Sequence, residues 1–166
     1  MPRGINLDVL SRDVALLLNC VRQEEISLAT ARQVTKSACF WASDLLGKKD
    51  RCPWWSEQAL ARRLSAGRWS ADLQLIHEHV IPRKYLQAQL LDLDSPTAAG
   101  VESILLKSFC CIVTKEEDEA LKVHRQSMPI DWDGLDQWAR YANVARVNRP
   151  PPLQKRPPPE TPSMES

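Results

Sequence analysis

Only two runs in the chain have the composition and length of β-strands, DLQLIHEHVI at 72–81 and FCCIVT at 109–114, and both are set in helix-patterned sequence. A two-stranded sheet is at best marginally stable alone, so helices must supply most of the buried surface. The expected fold class is therefore α+β: a mainly helical single domain with a small two-stranded β element. A chain of 166 residues can bury such a core without disulfides.

Leu7, Leu10, Val14, Leu17 and Val21 recur at helical spacing and predict an amphipathic helix over about 6–22. Ser27 can cap a second helix whose stripe is Leu28, Ala31, Val34, Ala38, Trp41 and Leu45, with Gly47 as its stop. These form an N-terminal helical hairpin, 1–47, that packs on a body spanning 48–145. In the body, GKKDRCPWW reads as a linker, and Ser56 starts a helix ended by Gly67. RKYLQAQLL and PTAAGVESILLKS then read as two further helices. Thr114 and Glu117 have the spacing of a capping box, so 115–124 should be a helix that begins where the second strand ends. A last helix is expected at about 134–143, carrying Leu135, Trp138 and Tyr141 inward. From Arg149 onward, RPPPLQKRPPPETPSMES holds seven of the 12 prolines, so 146–166 is expected to be a basic, disordered Pro-rich tail.

The net charge of +1 conceals a segregation. Lys48, Lys49, Arg51, Arg62, Arg63 and Arg68 form a basic region, with Arg83 and Lys84 further on. Glu116, Glu117, Asp118, Glu119, Asp131, Asp133 and Asp136 form an acidic one. A basic region can hold phosphates, and an acidic one a metal or a basic partner. The five cysteines are odd in number, show no C-x-x-C spacing and sit mostly in apolar runs, which reads as a reducing, cytoplasmic setting. No window approaches the roughly 20 apolar residues of a membrane span, so no membrane association is expected.

In LIHEHVIPRK, 75–84, strand alternation puts His77 and His79 on one face, about 7 Å apart, and Glu78 on the other. The two histidines are close enough to ligate one ion. Further ligands could come from Glu117, Asp118, His124, Cys110 or Cys111. The alternative is that His77 and His79 are core or rim histidines hydrogen-bonded to their neighbours, with His124 a helix C-terminal charge.

The run Glu78-His79-Val80-Ile81-Pro82 resembles the acidic-His-x-x-Pro signature of the HNH nucleases in the ββα-metal superfamily. The resemblance implies a strand, a second strand and a helix. It also implies a divalent metal (Mg, Mn or Zn) on the acidic residue and general-base action by the adjacent histidine. On this chain Glu78 and His79 would be catalytic and Glu78 and Asp118 would hold the metal, with His77, outside the motif, as a further ligand on the ground of strand alternation alone. Arg83, Lys84, Arg62, Arg63 and Arg68 would hold nucleic acid. Asp118 stands where the family has its last histidine, and the family's middle asparagine has no counterpart. The implied function is a metal-dependent nuclease, or a degenerate nucleic-acid-binding relative of one.

Six tryptophans against two tyrosines and two phenylalanines favour a second function class. Trp41 and Trp138 fall on apolar stripes and are expected in the core, whereas Trp54, Trp55 and Trp132 sit in loops. Exposed tryptophans anchor protein interfaces. With Glu116 and Glu117 they would mark a non-catalytic protein-binding module, such as a phage or bacterial inhibitor or adaptor acting on a larger nucleic-acid enzyme or defence complex.

Overall fold

The first helix, α1 (Leu7–Arg22), starts where the Asn6 side chain accepts a hydrogen bond from the Val9 amide at 2.9 Å. The computed structural model describes residues 6–47, 52–67, 70–124 and 127–142, so Arg68 and the segment 146–166 lie outside the described residues. Ser27 Oγ accepts from the Thr30 amide at 3.2 Å to start α2 (Leu28–Gly47), as its position predicted. Helix α2 buries Ala31, Thr35, Ala38, Cys39 and Ala42, while Leu28 and Trp41 are exposed. Trp41 is thus not a core residue. The small-residue arc wins because it lets neighbouring helices approach closely. Ser108 Oγ donates to Cys39 O at 2.6 Å, and Gln87 Nε2 donates to Arg32 O.

The body contains β1 (Trp54–Trp55), α3 (Glu57–Ala66), β2 (Leu75–His79), α4 (Arg83–Leu91), α5 (Ala98–Leu105), β3 (Cys110–Thr114), α6 (Lys115–Leu121) and α7 (Ala139–Ala142). Among the described residues the sheet has three strands in the order β1-β3-β2, one more than the sequence suggested. Trp54 and Trp55, read as linker, pair in parallel with Cys111 and Ile112. Two residues are too few to show strand periodicity, and the apolar β3 has two edges to fill. On its other edge β2 runs antiparallel, from Leu75 opposite Thr114 to His79 opposite Cys110. All five residues of β3 are buried.

Helices α1, α2, α4 and α5 share one core through Leu10, Val14, Leu18, Ala38, Leu86, Leu90, Val101 and Leu105. One face of the sheet packs Ile76, Cys111 and Val113 against Leu121 and Tyr141, from α6 and α7. The other packs Leu75, Cys110 and Ile112 against Cys52 and Ala59. Helix α7 starts at Ala139, later than the spacing predicted, and Leu135 is exposed, not inward. Asp133 and Asp136 explain this, since their carboxylates accept from the Leu135 and Trp138 amides at 2.8 and 3.0 Å and stabilise turns in place of a helical start. Among the described residues no helix is long and apolar enough to cross a membrane.

Candidate functional site

Alternation along β2 separates the two residues that carry the HNH resemblance. Leu75, His77 and His79 belong to the face toward Cys110 and Ile112, and Ile76 and Glu78 to the face toward α6 and α7. Strand β2, its antiparallel neighbour β3 and then α6 follow in the expected strand–strand–helix order. Glu78 therefore looks into the space under the helix, and His79 looks away from it.

Arg140 meets Glu78 there. Its Nη1 donates to Glu78 Oε1 at 2.9 Å and to His79 O at 2.9 Å, and the residue is 2% exposed. Aromatic rings fix the short helix that carries it. Trp138 lies 5.3 Å from Trp54, 5.6 Å from Phe109 and 5.3 Å from Tyr141, ring centre to ring centre, in edge-on arrangements. Burial raises the Glu78 pKa above the ordinary carboxylate value; Arg140 opposes the shift and the nearby Asp118 charge adds to it. Asp118, on α6, faces Lys122 Nζ at 3.5 Å. Glu78 and Asp118 thus each have a cation beside them, Arg140 and Lys122.

His79 is held on the other face, its Nδ1 3.4 Å from Cys110 Sγ. Burial, with the charges of Arg83, His77 and Arg140, lowers its pKa to about 3. Burial pushes the Cys110 thiol up to about 12, with Cys52 and Glu78 adding to the shift. The contact is between neutral groups, so it is no imidazolium–thiolate pair. A general base needs a pKa near the working pH; burial holds that of His79 well below it.

The depressed His79 pKa has a consequence for stability. Above pH 6.5 His79 is neutral in both folded and unfolded chains, and its contribution is fully present. As pH falls from 6.5 toward 3 the unfolded chain binds the proton first, so stability is lost at up to about 1.4 kcal/mol per pH unit. Glu78, whose folded pKa is raised from 4.5, acts in the opposite sense just above that pH. Urea unfolding of the wild type is expected to show a loss of stability between pH 7 and pH 5, and His79→Gln a distinctly smaller one.

The acidic residues of α6 divide between structure and surface. Glu117, read as part of a partner-binding surface, is 4% exposed. Its Oε2 accepts from the Thr114 amide at 2.8 Å, closing the predicted capping box, and from Ser56 Oγ at 2.5 Å. Ser56 Oγ also accepts from the Ala59 amide at 3.1 Å, so one carboxylate ties together the starts of α3 and α6. Glu117→Ala is expected to cost about 2 kcal/mol in urea unfolding, with Glu117→Gln recovering part of it. Glu116 stays at the surface and pairs with Arg62 at 3.2 Å.

The described members of the predicted basic set, Arg62, Arg63, Arg83 and Lys84, do not gather at one point. Arg62 is held near the Leu75 end of β2, through Glu116 and a 3.4 Å hydrogen bond to Leu73 O. Arg63 sits on the same helix. Arg83 and Lys84 open α4 just beyond the His79 end, with Arg83 6.0 Å from the Phe40 ring centre. A five-residue strand, about 16 Å long by strand geometry, separates the two groups. Trp54 and Trp55 are only half-buried in the sheet, and Trp55 Nε1 donates to Cys52 O at 2.9 Å. Trp132 packs edge-on against Tyr85 at 5.1 Å, and its Nε1 donates to Asp136 O at 2.7 Å. With Pro129, Asp131, Asp133, Asp136 and Ala139 it lines a shallow open groove.

The metal implied by the resemblance does not fit these residues. His77 is turned to the opposite face from Glu78, and Glu78 Oε1 already accepts from Arg140. A divalent ion placed ~5 Å from that guanidinium would meet a repulsion of about 7 kcal/mol at an effective dielectric of about 20. Among the described residues no group of three or more His, Cys, Asp or Glu side chains is placed to hold a metal ion. Sequence reasoning missed Arg140 and Lys122. A signal existed for the first, because an acidic residue inside an apolar strand requires a cation, and Arg140 lies between two inward-facing aromatic positions. No protein-family model, curated protein or solved structure matches this chain.

Proposed function

We propose that this chain is a non-catalytic binding module, keeping the strand–strand–helix arrangement of the HNH enzymes it resembles without their chemistry, and that it docks on a basic surface of a protein partner. The observation that carries this reading is the 129–139 segment. Asp131, Asp133 and Asp136 line a groove floored by Trp132 and Pro129, and the adjacent Ile130 and Leu135 are fully or largely exposed. Large apolar side chains beside an aromatic and a set of carboxylates combine the anchor and the charge complementarity of a protein interface. The placement of His79 against Cys110, on the sheet face away from Glu78, supports the non-catalytic half of the reading.

The test is capture of partners on the full chain and on a form carrying Ile130→Ser, Leu135→Ser and Asp131→Asn. A protein retained by the wild type through a basic region, released by salt and lost from the variant, is the expected result. Equal retention by both forms, or partners lost instead on substituting Arg63 and Lys84, would overturn the reading in favour of another surface.

A further inference from the structure

We infer that the guanidinium of Arg140 takes the place of a divalent metal in the strand–strand–helix element of this chain, making the element self-sufficient in charge. The inference concerns the inside of the element, and it does not depend on the docking reading. Three observations converge on it. Glu78 pairs with Cys111 on the sheet face that packs against α6, the helix that carries Asp118, and the HNH resemblance directs a cation into the space between them. Arg140 enters that space from α7, bonds Glu78 Oε1 and the His79 carbonyl through one nitrogen, and is 2% exposed. Its helix is packed by Trp138 and Tyr141 against the sheet, so the cation is built in and not borrowed from a mobile surface side chain.

The chemistry of the two cations differs in a way that matters. A metal can leave, and its ligands are then left as uncompensated carboxylates. An arginine side chain cannot leave and cannot lose its proton at any ordinary pH. Lys122, beside Asp118 and bonded also to Glu119 at 2.6 Å, is by contrast exposed at the surface. Arg140 is therefore the residue that closes the space to metal.

The experiment titrates the full-length protein with Mn2+, followed by electron paramagnetic resonance of the free ion, with Mg2+ as competitor. Wild type and Glu78→Gln are expected to show the same weak, non-stoichiometric binding. Arg140→Gln removes the charge but keeps a donor for the His79 carbonyl, and should gain one Mn2+ site at least about tenfold tighter. That site should disappear in the Glu78→Gln/Arg140→Gln double variant. A stoichiometric Mn2+ site in the wild type that is lost in Glu78→Gln would overturn the inference, and so would a folded Arg140→Gln that binds no more Mn2+ than the wild type. If Arg140→Gln does not fold, the wild-type and Glu78→Gln comparison decides alone, since equal weak binding supports the inference and a Glu78-dependent site refutes it. None of these outcomes depends on partner capture, so failure here and failure of the docking reading remain separate.

Discussion

Arg140→Met is expected to lower the unfolding free energy by about 3 kcal/mol, read as a shift of the urea midpoint at unchanged slope. Two losses combine. Glu78, raised in pKa by burial, keeps a carboxylate with no cation at hydrogen-bond distance, and the His79 carbonyl loses its donor at the end of β2. Removing one member of a buried pair costs more than removing both, because the remaining charge is uncompensated. Glu78→Gln/Arg140→Met should therefore be more stable than Arg140→Met. If the double variant is the less stable by the sum of the two single losses, the two residues act independently and the ion pair has no special role.

Tyr141→Ala should cost more, about 4 kcal/mol, by the ordinary penalty for emptying an aromatic site in a packed core. Tyr141 is completely buried against Cys111, Val113 and Leu121 and stacks edge-on with Trp138. Its loss should also loosen the α7 residues that aim Arg140. The costs of Tyr141→Ala and Arg140→Met are therefore expected to be less than additive in the double variant. Strict additivity would show that the aromatic cluster and the ion pair are separate devices.

Most of the helices, though not α7, were legible because their signals are local. Asn6, Ser27, Ser56 and Thr97 each accept a hydrogen bond from an amide in the first turn of the helix they precede, and the Thr114–Glu117 capping box was readable from a three-residue spacing. The features that were not legible are set by tertiary contact. The buried arc of α2 depends on how closely its neighbours approach, so a stripe chosen by hydrophobicity pointed Trp41 inward when the packing favours Ala38 and Ala42. The β1 strand consists of two residues recruited to the open edge of β3. At the site, alternation already placed Glu78 and His79 on opposite faces. What alternation could not supply was Arg140, 62 positions along the chain from Glu78, whose arrival turns an acidic strand residue into half of an ion pair.

One measurement bears most directly on whether this element binds or cuts. Purified full-length protein is incubated with supercoiled, linear and single-stranded DNA and with RNA, each in Mg2+, Mn2+ or Zn2+, beside His79→Ala. No metal-dependent cleavage above background on any substrate is the predicted result, because His79 faces away from Glu78 and its basicity is suppressed by burial. Cleavage by the wild type that requires metal and is lost in His79→Ala would contradict it.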